Sequence, residues 1–493
     1  MSRYDVAIVG SGPTGVSLAN LLGAQGVRVL LLDRLTEVLD IPRAVHLDGE
    51  TMRVFQAMDL AEQVLGICRP GYGMHWVNAQ NEILAIRQGQ AGLSDQGWHN
   101  DYYFHQPQLE RVLRTGLNRY LDVDMRLGYE AVACEERGDS CLLSLRRLAD
   151  GTVEQVTASY VVGCDGARSI VRQWVGDEHE DLGLHQAWLV ADVILKRPLD
   201  LPEHSVQHCD PARPATSIYI HPLRRRWEIM VMKDDDPESL SKPEFVWKLL
   251  ERWVKPTQGV LERAAIYVFH SLVSTDWQRG RLFLAGDAAH QTPPFLGQGL
   301  CAGVRDAANL AWKLALAVQR PASRALLESY GPERRPHARE FVDLAVRMGH
   351  VIQVVDPVAA QARDTELRGK GWTFTFPRPA LGPGVHMQEG GAAGKIFVQP
   401  ILPDGRWLDD VVGPRFALVV NAGTALRLDQ ALRARLAALD VVLIEDAGPR
   451  AQAWFADHDC EAVLLRPDRY VFGTARHRAD LDAGLAKLEH WLG

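Results

Sequence analysis

The chain has no surplus of basic residues: 54 lysines and arginines stand against 62 acidic residues, a formal net charge of −8. That balance offers no electrostatic footprint for nucleic acid or anionic lipid, and neither is expected as a partner. It also lacks any apolar run near the ~18 residues that a membrane span requires. The first residues, MSRYDVAIVG, enter an apolar stretch at once, without the charged head, apolar middle and cleavage site of a secretory leader. Cysteine is sparse and scattered, at positions 68, 134, 141, 164, 209, 301 and 460. None makes the two-residue-gap pair of a zinc ribbon or dithiol site. Free thiols in a cytoplasmic protein are expected, each acting as a small buried hydrophobe. The histidines lack HxH and HExxH spacing, so no metal is expected, and His105, His221 and His290 read as turn or packing residues.

A chain of 493 residues is too long for one core, which predicts two or three domains. Residues 4–9 read as a buried strand, 14–25 as a helix and 27–33 as a second buried strand. This is a βαβ unit, the start of a doubly wound α/β fold. Short strands at 159–164 and 281–286 are also apolar on both sides, as in a helix-covered parallel sheet. The three places lie far apart, so the nucleotide-binding domain is expected to be discontinuous, over 1–73, 97–181 and 276–376. Residues 74–96 and 182–275 are assigned to a substrate-side domain. Strands such as 216–221 and 227–232, joined by a basic, proline-containing turn, predict an antiparallel sheet with one covered face. After 303, apolar residues at Val304, Ala307, Ala308, Ala311, Leu314 and Ala315 recur at helical spacing. Residues 377–394 read as a linker or extended connection, and 395–493 as a small α/β unit with strands at 416–420, 440–445 and 462–472 and a helix at 475–492.

Gly10-Ser11-Gly12-Pro13-Thr14-Gly15 joins the first strand to the first helix. Gly10 permits the tight turn, Gly12 lets backbone approach a pyrophosphate, and Gly15 lets the helix pack close to the strand. Asp33, followed by Arg34, ends the second strand, where an acid binds dinucleotide ribose. A glycine loop by itself does not separate NAD from FAD.

Two further motifs follow buried strands. Cys164-Asp165-Gly166-Ala167-Arg168-Ser169 is one; Gly286-Asp287-Ala288-Ala289-His290, running on through Pro293-Pro294-Phe295-Leu296-Gly297-Gln298-Gly299, is the other. With the glycine loop, in this order, they resemble the group A flavoprotein aromatic monooxygenases, from residue 4 to residue 345. The resemblance implies a discontinuous Rossmann-like FAD-binding domain, an antiparallel-sheet substrate domain and a C-terminal thioredoxin-like domain. It also implies non-covalent FAD, NADH or NADPH as transient reductant, and O2. The substrate would be a small aromatic, hydroxylated through a C4a-hydroperoxyflavin. By the same resemblance Asp287 accepts a hydrogen bond from an FAD ribityl hydroxyl and Pro293-Pro294 stiffens the loop against the flavin. Gly297, Gly299, Leu300 and Cys301 present backbone to the flavin edge. Arg43, Gln106 and Asp165 touch the cofactor, and Arg168 anchors the Asp165 loop. Many members have asparagine where this chain has Cys301, so a backbone contact there survives and a side-chain amide contact does not.

Segments at 209–214, 225–228, 407–410 and 466–468 are similar to the subgroup of that family acting on 3-hydroxyphenylpropionates. That likeness implies a phenolic acid substrate, hydroxylated ortho to its hydroxyl, with Arg213 or Arg226 forking its carboxylate and Tyr219 and Pro293 lining the site. Ion pairs of these arginines with Asp210 and Glu228 are the alternative. No residue is singled out as catalytic base. Flavin monooxygenases of polycyclic secondary metabolites, and FAD-binding accessory proteins without activity, would carry the same motifs. The lone Cys460 makes the C-terminal unit a redox-inactive packing or dimer surface, which allows a homodimer.

Overall fold

The computed structural model describes residues 3–40, 43–89, 92–176, 178–320, 324–370, 372–373, 376–387 and 390–492. Five parallel strands form the centre of the first sheet, in the order Leu282–Leu284, Val153–Gly163, Arg3–Val9, Val29–Asp33 and Val123–Leu127. Val6, Ala7, Ile8, Leu30 and Leu31 are fully buried, as strands with both faces covered must be. Helix Pro13–Gly23 packs alongside the long helix Gly299–Gln319. The first half of Val153–Gly163 leaves this layer to pair with Ser140–Arg147, which pairs in turn with Tyr129–Arg137. That hairpin turns at Gly138, whose φ of +63° suits glycine; the sequence reading did not include it.

The second sheet has nine strands: His290–Gln291, Gly259–Ser274, His179–Leu195, Arg224–Met230, Ala215–His221, Ser205–His208, Gly73–Val77, Ile83–Gln88 and Trp372–Thr373. Its two edge strands come from 276–376, the stretch that the sequence division gave wholly to the cofactor side. The expectation of one covered face is also corrected. Helix Pro243–Leu250 seals one face, with Val246 and Leu250 against Leu189, Ala191, Trp227 and Ile229. The opposite face meets the loops of the first sheet, so Arg224–Met230 is buried at six of its seven positions. Alternation puts Arg226 and Glu228 on that second face, away from Trp227 and Ile229.

The last unit is a four-stranded sheet, Val441–Ile444, Phe416–Val420, Ala462–Leu465 and Val471–Ala475, with the first pair parallel and the others antiparallel. The stretch 462–472, one strand by sequence, is therefore a hairpin. Its turn enters the first unit. Arg466, fully buried, donates to Glu333 Oε2 at 2.8 Å, and Lys313 Nζ meets the same oxygen at 2.8 Å. Asp409 accepts from both Arg53 and Arg469. Of the two readings for this stretch, residues 377–387 follow the extended connection, and it is packed: Leu381 and Val385 are buried, and Val385 N donates to Glu333 Oε1 at 2.6 Å. Positions 388–389 of that stretch lie outside the described residues.

Truncating Arg466 leaves two carboxylates, Glu333 and Asp468, with the single cation of Lys313 in a dry interior. Arg466→Ala should destabilise the protein by about 3–5 kcal/mol, read as a lower urea midpoint. An unchanged midpoint would show the C-terminal unit to be a mere appendage. Cys460 is buried, with burial pushing its thiol up to about 11, and Cys460→Ser should leave turnover unaltered.

Candidate flavin site

The glycine loop is built as tightly as its spacing requires. Gly10 has φ +104°, and a Cβ there would lie 2.3 Å from the Cys164 carbonyl oxygen. At Gly15 a Cβ would lie 1.9 Å from the Gly10 oxygen, whereas at Gly12 it would meet nothing within 4 Å. Gly12 therefore faces open space. Pro13 fills the first helical turn and no side chain caps it, leaving N–H groups and the positive end of the helix for an anion. Asp33 ties the loop down: Ser11 N and Ser11 Oγ each donate to Asp33 Oδ2 at 2.7 Å, while Arg114 donates to Ser11 Oγ at 2.9 Å. Arg34 is exposed, 3.4 Å from Glu130. Thr14 lodges between two glycines; a Cβ on Gly286 or Gly303 would come within 2.5 or 2.3 Å of its Oγ1.

Gly286 begins the second loop, and the buried Asp306 holds it. Asp306 Oδ2 accepts from Gly286 N at 3.0 Å and faces His290 Nε2 at 2.8 Å, while Oδ1 accepts from Arg334 Nε at 2.9 Å. The neighbouring Asp287 accepts no hydrogen bond among the described residues. Its surface is open to solvent, yet burial raises its pKa, with His290 and Arg43 opposing. Both observations hold for a carboxylate that lines an internal cleft. The Arg43 guanidinium, also open, has no hydrogen-bond or ion-pair partner among the described residues. Pro293 is buried, Pro294 opens the turn Pro294–Leu296, and Gly297 closes it with φ +64°, where a Cβ would sit 2.8 Å from His46 Cβ. No side chain caps helix Gly299–Gln319, and the buried Gln298 Nε2 has no partner among the described residues. Gly299 and Leu300 are half-buried. Cys301 Sγ turns inward, 3.8 Å from His46 O, and burial pushes its thiol up to about 12.

Three sequence readings change here. Gln106 is spent on the protein: Oε1 accepts from Arg43 N and Ala44 N at 2.9 and 2.6 Å, and Nε2 donates to Glu110. It shapes the Arg43 loop. Asp165 caps a helix, accepting from Ser169 Oγ at 2.5 Å and Ile170 N at 2.7 Å. Arg168 is exposed and does not anchor that loop; Arg172 does, donating to Ala167 O at 2.8 Å and to Ala288 O at 3.1 Å, which ties the two motifs together. A buried chain escaped the sequence altogether. His46 Nε2 lies 2.7 Å from Asp101 Oδ1, and Arg87 donates to Asp101 Oδ2 at 2.7 Å. His46 also backs Gly297, 3.3 Å from its carbonyl oxygen. Isolated polar residues in unrelated segments carry no spacing signal.

The substrate readings divide. Arg213 makes a two-point ion pair with Asp235, at 2.6 and 3.0 Å. Arg226, with no exposed surface, pairs with Asp192 at 2.7 and 3.0 Å and donates to Arg43 O at 2.9 Å. Both forks are committed to protein carboxylates, Asp235 and Asp192, which removes them as a clamp for a substrate acid. Tyr219 is stacked between the guanidinium groups of Arg69 and Arg225, at 3.8 and 4.1 Å from its ring centre. Alternation puts it on the face opposite Glu228. The face towards the cofactor loops carries Gln207, whose Nε2 is 3.4 Å from Phe295 O, and Trp188, whose ring is 5.5 Å from that of Phe295.

An FAD-binding domain family, described as "FAD binding domain", matches residues 3–345. The chain belongs to this family of FAD-dependent monooxygenases. FAD is its cofactor, and a nicotinamide its reductant. A second family, the HcaD C-terminal domain, matches residues 429–490. The chain is 36% identical to a probable NADH-specific resorcinol 4-hydroxylase of Rhodococcus jostii strain RHA1, covering 98% of this chain and 94% of that one. It is also 36% identical to a 3-(3-hydroxy-phenyl)propionate/3-hydroxycinnamic acid hydroxylase of Mycobacterium avium strain 104, over 98% and 91% of the two chains. In fold it is similar to aklavinone-11 hydroxylase solved with FAD and aklavinone, with a TM-score of 0.82, 22% identity and 99% of each chain covered.

The donors fit such a cofactor. An uncapped helix start, an open Gly12, and an Arg43 cation and Asp287 carboxylate without partners among the described residues supply what a diphosphate and a polyol chain need. Asp287→Ala should weaken FAD binding by about 1.5–3 kcal/mol, measured by quenching of flavin fluorescence. Unchanged affinity would remove Asp287 from the site.

Proposed function

We propose that this protein hydroxylates a small phenol ortho to its hydroxyl, with NADH or NADPH as reductant and O2 as oxidant. The observation that carries the reading is that one buried, partly polar sheet face meets both cofactor loops. The Arg43 loop rests on Arg226, and the Pro293–Gly297 loop rests on Gln207 and Trp188. The names of the relatives support a phenolic ring as the reacting group.

In this reading the helix start at Gly12–Gly15 and the Arg43 cation hold the diphosphate, with Asp33 on ribose and Asp287 on the ribityl chain. The backbone of Gly297–Cys301 meets the flavin edge. Bound FAD supplies the reduced flavin that activates O2. The chain's own work is positioning and drying. Gln207 accepts from Thr216 Oγ1 at 2.5 Å, which turns its amide N–H towards Phe295 O and steadies that loop. Trp188, Phe295, Met74 and Met230, all buried, wall the ring from water. The first sheet then forms the FAD-binding unit and most of the second sheet the substrate unit. We read residues 395–493 as a thioredoxin-like unit without redox chemistry, since strand order and directions suit that fold and Cys460 has no partner thiol.

The occupied arginines favour a neutral phenol over a phenolic acid. Resorcinol suits the site: its 4-position is ortho to one hydroxyl and para to the other, so both activate it. Resorcinol should stimulate NADH or NADPH oxidation and yield benzene-1,2,4-triol. The acid 3-(3-hydroxyphenyl)propionate and its amide should be used equally well, because neither Arg213 nor Arg226 is free to tell them apart. A strong preference for the acid over its amide would overturn the neutral-phenol reading. Peroxide alone, with no hydroxylated product from any of the three, would overturn the hydroxylase reading for small phenols.

A further inference from the structure

The face of the second sheet towards the cofactor loops carries several charged residues, and near it, apart from Asp287 of the flavin loop, most carboxylates are spent. Asp192 accepts from Arg226 and Arg263, Asp101 faces His46 and Arg87, Asp306 has three partners, and Asp165 caps a helix. Glu228 differs. It is 6% exposed, yet accepts no hydrogen bond among the described residues, and the nearest ion-pair atom is Arg226 NH1 at 3.7 Å. Leaving a buried carboxylate unbonded is costly, and native structures seldom do so without a use.

Its place in the sheet says what the use is. Glu228 stands opposite Thr216, which stands opposite Gln207, so the three side chains form one row on one face. One end of that row reaches Phe295 O through Gln207. On the strand of Glu228, the preceding residue on the same face, Arg226, reaches the Arg43 loop. The next, Met230, stands opposite Trp188, whose ring meets Phe295. The unbonded carboxylate is thus bracketed by contacts to both cofactor loops. The same face holds two more buried groups without partners among the described residues, Trp188 Nε1 and Tyr267 Oη.

We propose that Glu228 takes the phenolic proton of the substrate. This rests on the hydroxylase reading above and supplies the base that reading lacks. The phenol O–H bond breaks, the proton passes to a Glu228 carboxylate oxygen, and the electron pair stays on the ring oxygen. There it raises electron density at the ortho carbon, to which one oxygen atom of O2 is added while the other leaves as water, the two electrons for that reduction coming from the nicotinamide. As the ring carbon then gives up its own proton to water, Glu228 returns its proton to the ring oxygen and is reset.

The charged and titratable groups around it are Arg226 on its own strand, Asp192 on His179–Leu195, and Arg263 and Tyr267 on Gly259–Ser274. Burial raises the pKa of Glu228 to about 7, Arg226 opposes the shift and Asp192 adds to it. A carboxyl poised near neutral pH exchanges protons readily at working pH. The same shift has a stability sign. The folded state holds this proton more tightly than the unfolded chain, so stability falls as pH rises from about 4.3 towards 7. A neutral isostere escapes that loss.

The test uses FAD-loaded wild type, Glu228→Gln and Glu228→Asp, with resorcinol as probe. Wild-type kcat/KM should fall on the acid side with an apparent pKa near that of Glu228. Glu228→Gln should lose that limb and ~100-fold in hydroxylation while retaining FAD. Glu228→Asp should keep a limb, displaced. Independently of turnover, Glu228→Gln should raise Tm relative to wild type more at ~pH 8 than at ~pH 5. An unaltered acid limb in Glu228→Gln, or a Tm difference indifferent to pH, overturns the proposal. If Glu228→Gln loses FAD, Glu228→Asp decides, and the absence of a limb there counts against it. Should wild type convert no phenol at all, the hydroxylase reading fails first and the proposal falls with it.

Discussion

Asp306 is the carboxylate on which the cofactor side of this molecule is assembled. Burial alone would raise its pKa, but His290 and Arg334 outweigh that and hold it below the usual carboxylate range. Its three partners come from three places: the start of the Gly286 loop, the far side of that loop and the helix Tyr330–Ile352. Because it projects from Gly299–Gln319, it fixes the loop to the helix whose start is proposed to meet the flavin. The close seat of that helix on Pro13–Gly23 depends in turn on Gly286 and Gly303 making room for Thr14. A dry ionic anchor and two absent side chains thereby set the distance between the two cofactor motifs.

A second buried network joins this frame to the C-terminal unit. Arg305, one residue before the anchor, donates to Glu50 Oε2 at 2.8 Å, pairs with Asp48 and reaches Gln298 Oε1 at 3.4 Å. Tyr470 of the C-terminal hairpin turn donates to Glu50 Oε1 at 2.7 Å. The unit that the sequence presents as an appendage is therefore a few hydrogen bonds from the flavin helix. Buried ion pairs of this kind are weak sources of net stability, but breaking one partner strands the other. The arrangement makes the three units depend on one another.

The sequence was most legible where chemistry demands glycine or an unbroken apolar run. The loops at Gly10–Gly15 and Gly286–Gly299 and the parallel strands between them could be read because a turn with positive φ, or a strand covered twice, leaves few other residue choices. It was least legible in the second sheet. Residues 227–232 read as a strand of a sheet with one covered face and Arg226 as part of the turn before it, whereas the strand runs from Arg224 to Met230. The charged positions are instead buried against another unit of the same chain, a long-range fact that local alternation cannot carry. The ion pairs of Arg213 and Arg226 are legible only in part: Arg226 does approach Glu228, at 3.7 Å, but the carboxylates that the two arginines fork, Asp235 and Asp192, lie on other segments. The His46–Asp101–Arg87 chain has no local signature at all.

The proposed function joins a family assignment to a phenol held beside the flavin, between the two cofactor loops and the Glu228 face of the second sheet. Oxygen-isotope labelling tests that union most directly. Turnover of resorcinol with reduced nicotinamide under labelled O2 in ordinary water should give a triol carrying one labelled oxygen, seen by mass spectrometry. A triol with unlabelled new oxygen, or nicotinamide oxidation that yields only labelled peroxide, would contradict it.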